Sequence, residues 1–473
     1  MAAAIEIQQL SKLISDSVAT LLKATSDAGV ELPHLNESFA PPSEAFRGIP
    51  AAADAANIIG TAALQLAIAV LPPFDSLFQV VTGPTRSAAL RVCVECHVPE
   101  LLREAGPEGL SAQEIGARCG VDGSKIGRLL RALANRHIFR EVTPDVFTNN
   151  RLSSLLDTRK SFEALKADPF TKHHDTPGFV ALVEYFLSDG HTATAHLLEN
   201  MKDPKTAFSG EPNHAPVQKA LGTDLDLFQF MELPEQRYRH QRFGVAMGGV
   251  KAMEHPDVIN NAYDWASLPR DAVVVDVAGG IGNAALSIVQ SAPQVSVVVQ
   301  EVPSVLAEAR IFWKRENPEA LSSGHVRLQV HDFFTPQPIK NASVFLLKNI
   351  LHDWSDSYNV KILTHLRAAA TPSTVLVIVG NIMDYTCLDT DQDAQSISGS
   401  SFKPAPAPLL PNYGIANEMA YNLDLAMLNW HNAQEYTVKG LRELLAQAGW
   451  KLSHVTRRDP PGNFLGSAQA VPI

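Results

Sequence analysis

The chain has little with which to brace itself covalently: only four of its 473 residues are cysteine, Cys93, Cys96, Cys119 and Cys387. Their scatter gives no disulfide framework, and the Cys93 and Cys96 pair has no second pair to complete a zinc site. Free thiols and a reducing, cytoplasmic location are therefore expected. Positive charge is also short. A net charge of -11 and a pI near 5.8 leave no basic field for a phosphate backbone, which argues against a nucleic-acid partner. The start, MAAAIEIQQLSKL, has neither a basic beginning nor a continuous apolar core, so no signal peptide is evident. Long apolar runs are missing too. Residues 57–72 are almost wholly apolar but contain Gln65 and fall short of the roughly 20 residues a bilayer requires. A buried helix at a subunit interface is expected there, with no membrane partner.

What is present is concentrated in residues 273–301, VVVDVAGGIGNAALSIVQSAPQVSVVVQE. A β-branched strand ends near Asp276, turns through Gly279, Gly280 and Gly282, and enters a helix, so the backbone can approach a ligand closely. Glu301 follows Gly282 by 19 residues, at the carboxyl end of the next strand, where an acid can take both hydroxyls of a ribose. The turn lacks the spacing of a dinucleotide fingerprint and the Lys-Ser/Thr of a phosphate loop. It suits a ribose-bearing ligand without a pyrophosphate. Three further segments agree: VRLQVHDFF carries Asp332 and Phe333, suited to an adenine edge and face; SVFLLKNILHDWSD carries Lys348, His352 and Asp353; and TVLVIV adds another buried strand. Repeated strand, helix, strand predicts an α/β fold, a parallel doubly wound sheet with its site at the carboxyl ends of the strands.

The remaining chain divides by pattern. Residues 1–85 read as helices broken by a polar loop, and residues 86–158 as a winged helix, with a Ser111/Glu114 capping box, Asp122 or Ser124 capping the next helix, and a hairpin turning at Pro144-Asp145. Its arginines and lysines read as the solvated face of an amphipathic helix. Residues 159–268 are mostly helical. Residues 269–473 form the ligand-binding domain, with final strands LSHVTRR and FLGSAQAV and an aperiodic insertion at 386–411 that is expected to be flexible.

In this order of motifs the chain resembles the small-molecule O-methyltransferases that use S-adenosylmethionine, of the caffeic-acid type and its fungal relatives. The glycine turn, the acid after the second strand, the Asp-aromatic pair and the strand ending in His-Asp-Trp all match, and HDWSD is the most discriminating piece. The resemblance implies a Rossmann-like methyltransferase sheet with an antiparallel last strand, a homodimer formed through the winged-helix region, and S-adenosylmethionine held by Asp276, Gly279, Gly280, Gly282, Glu301, Asp332, Phe333 and Lys348. It implies an aromatic or polyketide-type acceptor lined by Phe243, Met247, Met427 and Asp353. For Phe243 and Met247 the residues alone favour an i, i+4 core pair.

Phenol methylation needs in-line alignment and removal of a proton with a pKa near 10. His352 is the expected base, and the resemblance implies Glu435 as its orienting acid. Asn381 stands where the family usually has a second acid; it can hydrogen-bond an imidazole but cannot offset its charge. Ala278 replaces the first glycine of the turn and is tolerable if its φ is negative. No metal is expected, because this chain does not gather the carboxylates of the magnesium-dependent type. These departures sustain an alternative: a methyltransferase fold repurposed for dehydration or pericyclic chemistry, with Lys348 polarising a substrate carbonyl.

Overall fold

The structure, a computed structural model, describes residues 2–457 and 465–473. Met1, Arg458 and Phe464, which end the sequence-derived segments, lie outside the described residues. Contacts divide the chain into two units: residues 1–198 with 216–253, and residues 199–215 with 254–473. The helical block read as 159–268 is thus shared between them.

In the first unit, α1 (Ala2–Ala28) packs along α2 (Pro50–Val70), followed by α3 (Pro73–Val81), α4 (Gly83–Glu95) and α5 (Val98–Ala105). The buried residues of α2 are small, Ala52, Ala55, Thr61 and Ala62, which lets α1 approach closely. The expected length of this segment changes. The helix-forming run PAAADAA extends α2 to 21 residues, long and apolar enough by length and composition to cross a membrane, and only 17% of its apolar window is buried within the chain. Beyond it, α3 buries none of its residues and exposes Phe74, Leu77, Phe78, Val80 and Val81.

The winged helix forms as its pattern predicts. Strand β1 (Leu110–Ser111) leads into α6 (Ala112–Cys119) through a complete Ser111/Glu114 capping box. Helix α7 (Gly123–Ala134) is capped by Asp122, whose side chain accepts from the Lys125 N–H. The hairpin β2 (Arg140–Thr143) and β3 (Val146–Thr148) completes a sheet in the order β1-β3-β2. Arg131 is tied to Glu141 and Asp145 of the hairpin. That ion-paired basic residue belongs to the solvated face of α7.

The second unit is built on a seven-stranded sheet: β4 (Val273–Val277), β5 (Ser296–Glu301), β6 (Val326–Val330), β7 (Val344–Lys348), β8 (Val375–Gly380), β11 (Trp450–Thr456) and β12 (Gly466–Pro472), in the order β11-β12-β8-β7-β4-β5-β6. The inner pairs are parallel, and β12 runs antiparallel to both neighbours. A short parallel pair, β9 (Ile382–Met383) with β10 (Tyr436–Thr437), lies beyond the end of β8. The strands are Val, Ile and Leu runs because helices cover both faces, and the two faces carry separate clusters, around Trp313 on one side and Phe345 and Trp450 on the other. Each fully buried Val or Leu contributes about 1.5–3 kcal/mol relative to exposure, so this sheet is the rigid base of the site.

Residues 386–411, expected as a flexible insertion, make specific contacts. A helical turn at Gln392–Gln395 is capped by Asp391, Arg442 pairs with Asp391, and the Val455 N–H donates to the Ser398 carbonyl. Absence of periodicity reflected irregular backbone, not lack of anchoring.

Candidate active site

The glycine turn connects β4 to the helix Asn283–Ser291. Gly280 has φ +58° with open space where a Cβ would stand, so ligand atoms can come close. Gly282 has φ +92°, and a Cβ there would meet the Trp313 indole at 2.5 Å. Gly279 is closed in differently, since its Cβ would meet the Asp276 carboxylate at 2.5 Å. Asp276 is buried, at 1% exposure, with the backbone N–H of Ala285 directed at its carboxylate. Burial raises its pKa to about 7, with Lys348 opposing the shift. It therefore sits under the turn as a support.

Ala278 has φ +52°. The condition for tolerating alanine here, a negative φ, is not met: the turn places this residue in the left-handed region, where a Cβ crowds the following carbonyl. Ala278→Gly should therefore relieve strain and raise stability by about 0.5–1 kcal/mol, once the extra chain entropy of glycine is deducted. A higher midpoint in chemical denaturation is the expected result, and a lower one would show that the alanine is accommodated.

Glu301 ends β5, and its carboxylate accepts from the Val302 N–H at 2.6 Å. Burial raises its pKa, partly offset by the N–H groups of Val302 and Gly280. Asp332 is exposed just past β6 and accepts from the Phe334 N–H, while the Phe333 ring meets Phe334 and Trp354 edge-on. These residues line the carboxyl ends of β4, β5 and β6, as the sequence placed them. Lys348, at the end of β7, is held by Glu254, with Nζ 2.6 Å from the carboxylate.

His352 lies in the turn Leu351–Asp353 directly after β7. Its Nδ1 is 2.7 Å from the Glu435 carboxylate, and the Asp353 carboxylate stands 3.7 Å from its Nε2. Glu435 is fixed in turn, its N–H donating to Asp424 at 2.8 Å. Burial by itself favours the neutral ring, but Glu435 and Asp353 outweigh it and raise the His352 pKa to about 9, against a smaller opposing effect of Lys348. The ring is thus mostly protonated at neutral pH, and its neutral, proton-accepting form grows as pH rises towards 9. An imidazole titration of His352 by NMR should give a midpoint well above the ordinary value near 6.5. A midpoint at or below that value would mean the carboxylates do not hold the ring.

Asn381 lines the same small pocket as Asn349, His352 and Glu435. Its amide, however, donates to the Ala420 carbonyl at 3.2 Å and reaches the Met383 sulfur. The expected hydrogen bond to the imidazole is not made, because the helix Glu418–His431 offers a backbone acceptor first. Met427 is buried on that helix. Phe243 and Met247 belong to the first unit: Phe243 meets Tyr185 and Phe228 edge-on, while Met247 is 39% exposed. They are not the buried core pair their spacing alone favours.

Two polar residues escaped the sequence reading. Asn349 takes φ +54° and leaves its buried carbonyl oxygen without a partner. His431, four residues before Glu435, brings its Nε2 to 3.6 Å from Asp353. The segment NWHNAQE held the signal for the second, but nothing local pointed the ring at Asp353.

Comparison with known proteins then decides the family. The chain is 44% identical over 98% of its length to a 4-O-methyltransferase of Phanerochaete chrysosporium, of which 99% is covered. It belongs to the O-methyltransferase family. An O-methyltransferase of Armillaria gallica is 38% identical, with 96% of each chain covered. Family models for an O-methyltransferase domain and an O-methyltransferase dimerisation domain match residues 201–398 and 78–159. This methyltransferase also shares its fold with solved structures. A mitomycin 7-O-methyltransferase aligns with a TM-score of 0.61 at 22% identity, covering 85% of this chain and 98% of that one. A pericyclic reaction enzyme aligns at 0.64 and 19%, covering 89% and 94%.

Proposed function

We propose that the enzyme transfers a methyl group from S-adenosylmethionine to a phenolic or polyketide-type hydroxyl in fungal secondary metabolism, with His352 as general base. The observation that carries this reading is the 2.7 Å contact between His352 Nδ1 and Glu435. With Nδ1–H committed to a carboxylate, Nε2 is the nitrogen left to take a proton, and the ring's orientation is fixed.

The open glycine turn and the acid at the end of β5 fit the cofactor. When bound, S-adenosylmethionine supplies a methyl group already activated on a cationic sulfur. Glu301 would accept hydrogen bonds from the ribose, with Asp332 and Phe333 at the adenine and Lys348 nearby. Met427 and Asp353, both in the second unit, would face the acceptor. The protein's own work is then to align a hydroxyl and remove its proton. The name of the Phanerochaete relative, a 4-O-methyltransferase, supports an oxygen as the acceptor atom, and a fold neighbour solved in complex with SAM supports the cofactor.

The rival reading, rearrangement or dehydration without methyl transfer, asks Lys348 to polarise a carbonyl. Its ion pair with Glu254 weighs against that task, since the pair would have to break first. Product mass separates the two. Methyl transfer gives a product heavier by one methyl in place of a hydrogen, together with S-adenosylhomocysteine; an unchanged mass or loss of water would overturn the assignment.

The exposed apolar residues of α2 and α3 adjoin the region matched by the dimerisation model. A two-fold homodimer covering them is the expected assembly. Sedimentation should show a dimer at micromolar concentration, and a stable monomer would contradict it.

A further inference from the structure

The largely enclosed imidazole of His352 has two carboxylates around it although position 381 contributes none. Glu435 holds Nδ1 at 2.7 Å, and Asp353 stands on the Nε2 side at 3.7 Å. The same Asp353 oxygen lies 3.6 Å from Nε2 of His431, on the last turn of the helix Glu418–His431. A carboxylate one residue away from His352 could point elsewhere. It is set between two rings that lie 79 positions apart in the chain, and both are largely enclosed, with side-chain exposures of 15% and 6%. We infer that Asp353 supplies the second counter-charge which Asn381 cannot, and that His431 is the positioning residue that keeps it facing Nε2 of His352.

The chemistry follows from which nitrogen each acid faces. In the neutral, proton-accepting form of the ring, Nδ1–H donates to Glu435 and Nε2 is free of a proton. When Nε2 takes the acceptor's proton, the new N–H and its positive charge form on the side where Asp353 stands. No bond to Asp353 need form or break. Its carboxylate stabilises the imidazolium by charge across a site from which water is largely excluded, where such an interaction is stronger than at the surface. Asn381, its amide engaged by Ala420 and Met383, is left with a packing role. The other charged groups facing the ring are Glu435, ahead of β10, and Lys348, at the end of β7, which opposes both acids. Asp424 acts one step back, through the Glu435 backbone.

The inference rests on His352 being the base, so the test must let the two fail separately. The titration midpoint of His352, read by NMR in the cofactor-free enzyme, and the pH dependence of kcat/KM with saturating cofactor are measured for wild type, Asp353→Asn, His431→Leu and His431→Gln. Asp353→Asn keeps the shape and removes the charge, so the His352 midpoint should fall by roughly one unit or more. His431→Leu should lower kcat/KM about tenfold and move the midpoint in the same direction, because an unpositioned Asp353 turns towards solvent. His431→Gln retains a donor towards Asp353 and should restore most of both. A merely structural His431 would lower stability or activity without moving the midpoint. Midpoints unchanged in Asp353→Asn and His431→Leu, with the wild-type limb still assigned to His352, would overturn this inference and leave the methyl-transfer reading intact. A wild-type profile with no limb belonging to His352 would overturn both.

Discussion

His352→Ala is expected to lower turnover by roughly 10²–10⁴ while leaving S-adenosylmethionine affinity nearly unchanged. The expectation follows from position. His352 follows β7, whereas the glycine turn and Glu301 belong to β4 and β5. Removing the ring therefore takes away the proton acceptor and the group that Glu435 orients without touching the ribose site. It also leaves a buried carboxylate short of its partner, at a cost in stability of about 3–5 kcal/mol if Glu435 stays charged. His352→Gln, which can still donate to Glu435, is the better-folded control. Steady-state turnover and calorimetric cofactor binding on both variants check the split, and a loss of binding as large as the loss of turnover would place His352 in the cofactor site instead.

The second large effect is at Glu301. Its carboxylate is enclosed enough for burial to raise its pKa, yet it stays at the end of β5 beside the open turn at Gly280. Two charge-assisted hydrogen bonds to ribose hydroxyls would supply about 1.5–3 kcal/mol, so Glu301→Ala should weaken cofactor binding by roughly 10- to 150-fold. Because the raised pKa favours the protonated acid, wild-type affinity should also decline as pH falls through the upper carboxylate range, and the alanine variant should not share that decline. Calorimetry that finds the same affinity in both proteins removes Glu301 from the site.

Much of this was legible because it is local. The β-branched strand, its glycines and the acid after the next strand fall within 29 consecutive residues, and each step is read from its neighbours. HDWSD was informative for the same reason. What could not be read depends on residues far along the chain. The partner of Asn381 is a backbone carbonyl 39 positions away, so its residue type promised a hydrogen bond to the imidazole that the fold assigns elsewhere. His431 reaches Asp353 only once the helix Glu418–His431 is laid beside the end of β7. Residues 386–411 looked unanchored since their restraints, Arg442 and Val455, come from later elements. Ala278 shows a different limit. A turn of this composition fits either sign of φ, and the fold takes the strained one.

The central claim is that His352 takes the acceptor's proton as the methyl moves. Its most direct test is the transfer of an isotopically labelled methyl group from S-adenosylmethionine to a phenolic acceptor, followed as a function of pH in wild type and His352→Gln. The account predicts label in the product in equal amount to S-adenosylhomocysteine, a rate that rises with a single proton lost at or below pH about 9, and loss of both the rate and that rise in the variant. Label transfer that continues in the variant at the wild-type rate and with the wild-type pH profile would contradict it.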